Sequence, residues 1–215
     1  MTEPKVHATA VVDSGAEVGN GTAVWHFSHI CSGAVVGDNC SLGQNVLVAD
    51  NAIIGNNVKV QNNVAVYGGV TIEDEVFLGP SCVMTNVTNP RSQVSRKSLY
   101  EKTLIRKGAT VGANATIVCG ITLGRYCFVG AGTVVTKDVP DYALVIGNPG
   151  KQKGFMSRHG HRLNFNEKGR ATCPESGFIY EMAGDGIRCM DLNEEEPLPV
   201  NLSVGSQNYD FFKHK

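Results

Sequence analysis

The 215-residue chain has almost no net charge and no long apolar segment. A formal charge of −1 gives no bulk electrostatic attraction to nucleic acid, so we expect no nucleic-acid partner. The polar start of the chain, Met1 to Lys5, does not resemble a secretory leader. No apolar run is long enough to span a bilayer, and we therefore expect no membrane partner.

A disulfide framework is also missing from the pattern of cysteines. The chain has seven cysteines, an odd number, and their spacing is irregular. Cys40, Cys82 and Cys127 occur at positions that the repeat described next turns inward. These features predict reduced cysteines in the core and a cytoplasmic location.

The dominant feature that is present is a six-residue repeat from Val12 to Val135. Thirteen aliphatic residues follow one another at intervals of six: Val12, Val18, Val24, Ile30, Val36, Leu42, Val48, Ile54, Val60, Val66, Ile72, Leu78 and Met84. After one interruption, six more keep the same interval: Ile105, Val111, Ile117, Leu123, Val129 and Val135. A second series, four residues after each aliphatic one, is small or β-branched throughout.

The two series predict short strands joined by corners. A residue of the second series precedes the next aliphatic residue by two positions, so both point to the same side of a strand. The intervening positions are rich in Gly, Asn and Asp, which tolerate the backbone angles of tight corners. A six-residue period does not stay on one side of an α-helix, so the pattern indicates a β-solenoid.

The repeat resembles that of the hexapeptide acyltransferases, in which three hexapeptides form one triangular coil. The resemblance implies an all-β fold, a left-handed parallel β-helix, and the nineteen repeats predict about six coils. We expect this β-helix to occupy residues 1–150, with an extruded loop at 85–104. A small C-terminal extension, with a short helix and strands, is expected over 151–191, and a tail over 192–215.

The interruption of the repeat is the first candidate for a functional segment. Met84 and Ile105 are 21 residues apart where six are due, so about 15 residues form a loop. Long loops in compact domains are usually functional. This loop is basic, and one corner before it three carboxylates follow one another, Glu73, Asp74 and Glu75. The combination suits an anionic ligand that carries an amine.

A second departure from Gly/Asn corners is Trp25-His26-Phe27. One interpretation is an exposed corner covered by a neighbouring subunit. The other is a proton acceptor or substrate contact provided by His26 or by the nearby His29. Outward-facing residues on two of the three faces are also unusually apolar, which favours contacts between subunits.

Several motifs together resemble one subfamily, the bacterial nucleotide-sugar N-acetyltransferases. The motifs are Trp25-His26-Phe27-Ser28-His29, the segments 73–80, 85–91 and 112–120, and Met156-Ser157-Arg158-His159-Gly160-His161. The resemblance implies acetylation of the 3-amino group of a UDP-linked 2-acetamido-3-amino-2,3-dideoxy uronic acid for lipopolysaccharide O-antigen synthesis. Related enzymes that act on dTDP-3-amino-deoxyhexoses share part of the pattern and provide the alternative acceptor.

The same resemblance implies the co-substrate and the assembly. Acetyl-CoA is expected at the last coils, near Gly130, Ala131, Lys137, Asn148 and Pro149. There, small side chains would leave room for the pantetheine arm and the lysine would meet phosphate. A homotrimer with active sites between subunits is expected, without a metal cofactor.

Amine attack on a thioester requires a positioned amine and an acceptor for its proton. We expect Asn86 to orient the amine and Arg91 to bind a carboxylate or phosphate. Glu75, His26, His29, Asn62 and Tyr67 are the other expected substrate contacts. His26 is three to four coils below Asn86, about 15–19 Å away, so the two are not expected to act on the same atoms. The proton acceptor is left open between Glu73 or Asp74 and the departing thiolate.

Two functions of other classes remain as alternatives. A metal-dependent enzyme like the γ-class carbonic anhydrases would need about three converging histidines, and only His26 and His29 occur within the repeats after their start. A non-catalytic β-helix scaffold would not need the basic loop.

Overall fold

The computed structural model describes residues 2–184, 186–205 and 207–212. The chain is nearly all β and only 3% helical. Strands of two to four residues stack in parallel to form the three faces of a triangular prism, which we name A, B and C. The predicted left-handed parallel β-helix is confirmed.

Each face is one sheet. Face A contains β1 (Lys5–Val6), β4 (Ala23–Val24), β7 (Ser41–Leu42), β10 (Lys59–Val60), β13 (Phe77–Leu78), β16 (Thr110–Val111), β19 (Phe128–Val129) and β21 (Ala143–Ile146). Face B contains β2 (Val11–Val12), β5 (His29–Ile30), β8 (Leu47–Val48), β11 (Ala65–Val66), β14 (Val83–Met84), β17 (Thr116–Ile117) and β20 (Val134–Val135). Face C contains β3 (Glu17–Val18), β6 (Val35–Val36), β9 (Ile53–Ile54), β12 (Val70–Ile72), β15 (Thr103–Ile105) and β18 (Thr122–Leu123).

The strand register follows the hexapeptide period. Lys59 pairs with Phe77, which is three hexapeptides further along the chain, so three repeats make one coil. Phe77 pairs with Thr110, so the next coil is longer by the length of the extruded loop, as the sequence predicts. The loop follows β14 at Met84 and ends where β15 begins at Thr103.

The core is the column of side chains that both series of the repeat direct inward. Ile30, Leu42, Ile54 and Leu78 are at most 1% exposed. Residues of the second series are buried equally well, among them Ala34, Cys40, Val46 and Ala52. Corners turn through left-handed residues, chiefly Asn and Gly, but Phe27 adopts the same backbone with φ of 59°.

The prism has about eight turns, two more than the repeat count predicts. The additional turns are at the two ends: the first coil includes Val12 but has little buried core, and the last lies beyond Val135, where the six-residue interval ends. At the start, Val6, Val11 and Val12 complete strands although 37–52% of each residue is exposed. At the other end, β21 extends face A beyond Val135 by pairing with β19. Backbone hydrogen bonds therefore continue the coil where the side-chain signal is lost.

The C-terminal segment folds back onto the last coils. β22 (Lys151–Met156) and β23 (Arg162–Leu163) extend face A in antiparallel fashion. β24 (Arg170–Thr172), β25 (Ile179–Ala183) and β26 (Gly186–Cys189) form a separate antiparallel sheet. The short helix expected in 151–191 is not found in its described part. A 3-10 helix, Val200–Leu202, and α1, Tyr209–Phe212, follow.

Three tyrosines join this segment to the prism. The Tyr126 and Tyr142 rings stack with centroids 5.2 Å apart, and Tyr180 meets Tyr142 edge-on at 5.6 Å. Arg158 lies over the Tyr126 ring at 4.5 Å. Burial raises the pKa of Tyr126 to about 12, so this group stays protonated. No described helix is long and apolar enough to cross a bilayer.

Candidate functional site

The prism has three columns of corners, and each predicted site residue belongs to one of them or to an adjoining strand. The AB corner follows the strands of face A, the BC corner those of face B, and the CA corner those of face C. Because coils rise by about 4.8 Å, the position of a residue in its column also gives its height.

The BC corner carries the extruded loop and Asn86. The loop borders an open cavity of about 650 Å³ lined by Asn86, Val87, Pro90, Arg91, Ser92, Gln93, Val94, Ser95, Arg96, Lys97 and Tyr100. Asn86 is half-buried. No hydrogen bond to its carboxamide is found in the described part of the chain, although its backbone carbonyl accepts one from Glu101 N at 3.0 Å. The side chain is therefore available to a ligand in the cavity.

Three cationic side chains line the same cavity. Arg91 is exposed, and its Nη1 donates to the Pro90 carbonyl at 3.1 Å. Arg96 Nε donates to the Asn89 carbonyl at 3.0 Å, and Lys97 is exposed. These contacts involve only carbonyl groups of the loop itself, so the positive charges are not neutralised by them. An anionic group would be favoured here.

The base of the loop is fastened by Glu101. One carboxylate oxygen of Glu101 accepts hydrogen bonds from the hydroxyl of Thr88 and from its backbone N–H, the latter at 3.0 Å. These two bonds lower the pKa of Glu101 below its usual value. Cys119 Sγ lies 3.6 Å from Thr88 Oγ1. Cys119 is in the coil directly above Asn86, because Met84 pairs with Ile117.

Tyr67 is on the same BC corner, one coil below Asn86, since Ala65 pairs with Val83. It is half-buried. The structure therefore brings Tyr67, Asn86 and Arg91 to one corner of the prism.

The acidic corner is elsewhere. Glu73, Asp74 and Glu75 form the CA corner between β12 and β13. Asp74 Oδ1 accepts the backbone N–H of Asn56 at 2.6 Å and the Asn56 side chain at 3.3 Å. Glu73 Oε2 accepts the Lys107 backbone N–H at 2.8 Å, and its Oε1 is 3.8 Å from Arg106 Nε. Glu73 and Asp74 therefore bind neighbouring coils, across face C from the loop.

The two histidines expected at the substrate are in the second coil. His26 is on the AB corner, stacked on His7 with ring centroids 3.5 Å apart, and its buried Nδ1 has no partner among the described residues. His29 is on face B, where its Nε2 lies 3.1 Å from Asp13 Oδ2. Face B strand β5 is three strands below β14, or about 14 Å, so neither histidine is beside Asn86. Asn62, on the AB corner, accepts the Gln44 backbone N–H at 2.8 Å.

The residues expected at acetyl-CoA are at the upper end of the prism but on two corners. Gly130 and Ala131 are on the AB corner, and the turn with Asn148 and Pro149 follows β21. Lys137 is on the BC corner. It lines a cavity of about 340 Å³ bounded by Val135, Thr136, Asp138, Val139, Pro140, Val145, Gly150, Lys151 and Gln152.

Sequence reasoning missed Lys151 as a second ammonium group in this cavity, and it missed Thr88 and Cys119 beside the loop. Lys151 adjoins the Gly147-Asn148-Pro149-Gly150 segment, which is the signal that would have found it. Thr88 and Cys119 are 31 residues apart in the chain, and only the coil register shows that they meet.

Comparison with known proteins identifies the family. Residues 4–50, 51–86 and 102–137, more than half of the chain, match the family described as bacterial transferase hexapeptide (six repeats). The chain therefore belongs to this family. It is an acyltransferase, and the predicted class of hexapeptide-repeat sugar N-acetyltransferases is confirmed.

Two relatives and one solved structure illustrate the similarity. The dTDP-3-amino-3,6-dideoxy-alpha-D-galactopyranose 3-N-acetyltransferase of Aneurinibacillus thermoaerophilus is 44% identical over 182 residues, which are 85% of this chain and 92% of the relative. The bifunctional protein GlmU of Thermosynechococcus vestitus is 34% identical over 66% of this chain and 29% of its own length. A hexapeptide-repeat acetyltransferase of Vibrio cholerae, solved with acetyl coenzyme A, has the same fold, with a TM-score of 0.50 and 24% sequence identity. The match covers 58% of this chain and 72% of that one.

Proposed function

We propose that the protein transfers an acetyl group from acetyl-CoA to the 3-amino group of a dTDP-linked 3-amino-3,6-dideoxyhexose. The observation that carries this proposal is the 44% identity to a 3-N-acetyltransferase of such a sugar, across 92% of that enzyme. The aligned region covers 85% of this chain, and the loop is too far from either terminus to lie outside it. The aligned region therefore spans the chain positions of the loop that carries Asn86. This acceptor replaces the UDP-linked uronate as the first choice.

The uronate of O-antigen synthesis remains the second candidate because of the charges in the loop. Arg91, Arg96 and Lys97 would bind a sugar carboxylate, but the diphosphate of either nucleotide sugar suits the same groups. Charge alone therefore does not separate the two acceptors.

In the proposed reaction, the neutral amine attacks the thioester carbonyl, a C–N bond forms and the C–S bond breaks. The Asn86 carboxamide orients the amine, which is consistent with its position in the cavity and its lack of another partner among the described residues. The amine proton leaves with the thiolate to give free CoA thiol, so no protein base is needed. Glu73 and Asp74 remain the alternative bases, although both already bind neighbouring coils.

The upper end of the prism is the proposed place for the rest of acetyl-CoA. Lys137 and Lys151 line one cavity there, and two ammonium groups would meet the phosphates of the coenzyme. Gly130 and Ala131 present small side chains on the AB corner, with Asn148 and Pro149 in the adjoining turn, so the pantetheine arm could lie close to the backbone.

We further infer a cytoplasmic homotrimer with its active sites between subunits. Val11 and Val83 on face B and Ile53 on face C are 46–52% exposed. Such apolar area on two faces favours burial against further copies of the chain. Light scattering of the purified protein tests the assembly directly: a mass of three chains is expected, and a monomer would exclude composite sites.

The activity test is the release of thiol from acetyl-CoA with two acceptors, a dTDP-3-amino-3,6-dideoxyhexose and the UDP-linked 3-amino uronate. Turnover with the deoxyhexose alone is expected. Turnover with the uronate alone would reject the proposed acceptor and retain the chemistry, and turnover with neither would reject both acceptors.

The role of Asn86 is tested with the better acceptor. Asn86→Ala is expected to lower kcat far more than His26→Ala, because His26 is three coils lower and on another corner. His26→Ala also serves as the matched control for loss of a polar corner residue. The reverse order would refute the assignment of Asn86.

A further inference from the structure

Three side chains of different chemistry meet where the first two coils adjoin on the BC corner. His29 Nε2 lies 3.1 Å from Asp13 Oδ2 and 4.0 Å from Cys31 Sγ. The three ligand atoms are all within 4.8 Å of one another. Over residues 2–184, 186–205 and 207–212, this is the one such group of His, Cys, Asp or Glu side chains that could hold a metal.

The distances suit a shared metal ion. Zinc binds His nitrogen and carboxylate oxygen at about 2.0–2.2 Å and Cys sulfur at about 2.3 Å, usually with tetrahedral geometry. Neighbouring ligand atoms are then about 3.3–3.6 Å apart. The separations of His29 Nε2 from Asp13 Oδ2 and from Cys31 Sγ lie on either side of this range, and the Asp13 and Cys31 ligand atoms are within 4.8 Å of each other. Side-chain adjustments of at most about 1.2 Å would therefore form the site.

The surroundings favour a cation. Burial raises the pKa of Cys31, and the negative charges of Asp13 and Asp50 raise it further. The same two carboxylates would attract a divalent ion. The Ser32 backbone N–H donates to Asp13 Oδ2 at 3.3 Å and helps to orient that carboxylate. The side chains of His29 and Asp13 are 45% and 38% exposed, so a fourth ligand from solvent has access.

We propose that Asp13, His29 and Cys31 form a binding site for a borderline-soft divalent metal ion such as Zn²⁺. Binding would replace the thiol proton of Cys31 by the metal and release that proton to solvent. The site would join the first coil, which supplies Asp13, to the second, which supplies His29 and Cys31. The first coil has most to gain, because Val11 and Val12 leave it with little buried core. This inference does not depend on the proposed acetyltransferase activity.

Co²⁺ is the spectroscopic test ion, used with the full-length protein free of any polyhistidine tag. We expect saturation at one ion per chain, with thiolate-to-cobalt absorption in the near ultraviolet, and displacement by Zn²⁺. Cys31→Ser should abolish the near-ultraviolet band and weaken binding at least about tenfold. Cys189→Ser is the matched control, because Cys189 is also a half-buried free thiol, and it should retain both the band and the affinity.

A second measurement does not depend on the cobalt spectrum. Saturating Zn²⁺ should raise the midpoint of thermal unfolding by about 5–10 °C in the unmodified protein and in Cys189→Ser. The shift should be lost in Cys31→Ser and in His29→Gln. A cobalt band that persists in Cys31→Ser, or no saturable binding at about 100 µM Co²⁺, would overturn the proposal and leave an ordinary Asp13–His29 hydrogen bond.

Discussion

Replacing Asp74 by Asn distinguishes a catalytic carboxylate from one that only shapes a corner. Asp74 Oδ1 accepts the Asn56 backbone N–H at 2.6 Å. The same hydrogen bond occurs in the two coils below, once with an asparagine and once with an aspartate as acceptor. Asn56 Oδ1 accepts the Asp38 backbone N–H at 2.8 Å, and Asp38 Oδ1 accepts the Asn20 backbone N–H at 2.7 Å. An asparagine at position 74 therefore retains the acceptor oxygen that the corner uses.

The expected magnitudes follow from this geometry. Asp74→Asn keeps the hydrogen bond and should change kcat by less than about threefold. Loss of a general base would lower it by about 10²–10⁴. Asp74→Ala removes the acceptor and leaves the Asn56 N–H without its partner, at a cost of about 1–2 kcal/mol in a partly exposed corner. For a chain of this size, the midpoint of thermal unfolding should then fall by about 2–8 °C.

The assay compares kcat, KM and unfolding midpoint for Asp74→Asn, Asp74→Ala and the unmodified protein. Glu73→Gln is a parallel control, because its amide oxygen can still accept from Lys107 N. Wild-type kcat in Asp74→Asn with lower stability in Asp74→Ala is expected. A hundredfold loss of kcat in Asp74→Asn, with an unchanged unfolding midpoint, would refute the corner role and restore Asp74 as a base.

Three further predictions concern other contacts. Glu101→Ala should speed tryptic cleavage in the loop at Arg91 and Arg96, while an alanine at the exposed Glu167 should not. Hydrogen bonds lower the pKa of Glu101, so the hydrogen bonds from Glu101 to Thr88 should persist at neutral pH and be lost only as the pH falls through that depressed pKa. A ¹³C titration of the Glu101 carboxyl group with a midpoint at or above 4.5 would contradict this. A thiol reagent at pH 8 should modify at most the half-buried cysteines of the folded protein, because burial raises the pKa of Cys82 and Cys127 to about 12; reaction of all seven before unfolding would contradict the inward register.

Most of the fold could be predicted because every hexapeptide meets the same physical requirements. Each coil needs small or branched residues inside and residues with left-handed backbone angles at its corners. From Val24 to Val135 the sequence alone therefore indicates where the strands lie and to which face each belongs. The end coils could not be predicted, since strands such as Lys5–Val6 and Ala143–Ile146 depend on hydrogen bonds to a neighbouring coil. The helix expected in the C-terminal extension failed for a similar reason: antiparallel pairing with β21 sets the conformation of Lys151–Met156.

Less of the candidate site could be predicted. The position of a residue in the sequence indicates its height along the prism more readily than which of the three corners it occupies. The sequence places Asn86 and Arg91 in one loop, and in the structure both line the loop cavity. It places Glu73 and Asp74 near them because they are close in the chain, but face C lies between. Thr88 and Cys119 are in contact, but the loop lies between them in the chain. The six-residue period alone therefore does not predict that they meet.

The corners themselves indicate which polar residues the fold already uses. On the CA corner, Asp38, Asn56 and Asp74 form a continuous series in which each side-chain oxygen accepts a backbone N–H from the coil below. On the AB corner, Asn62 does the same for Gln44. Asn86 has the residue type of these series without such a bond in the described chain, because the loop replaces its corner. The Asn86 carboxamide, on the BC corner, is therefore not used by the fold in this way, and a ligand in the loop cavity could hydrogen-bond to it.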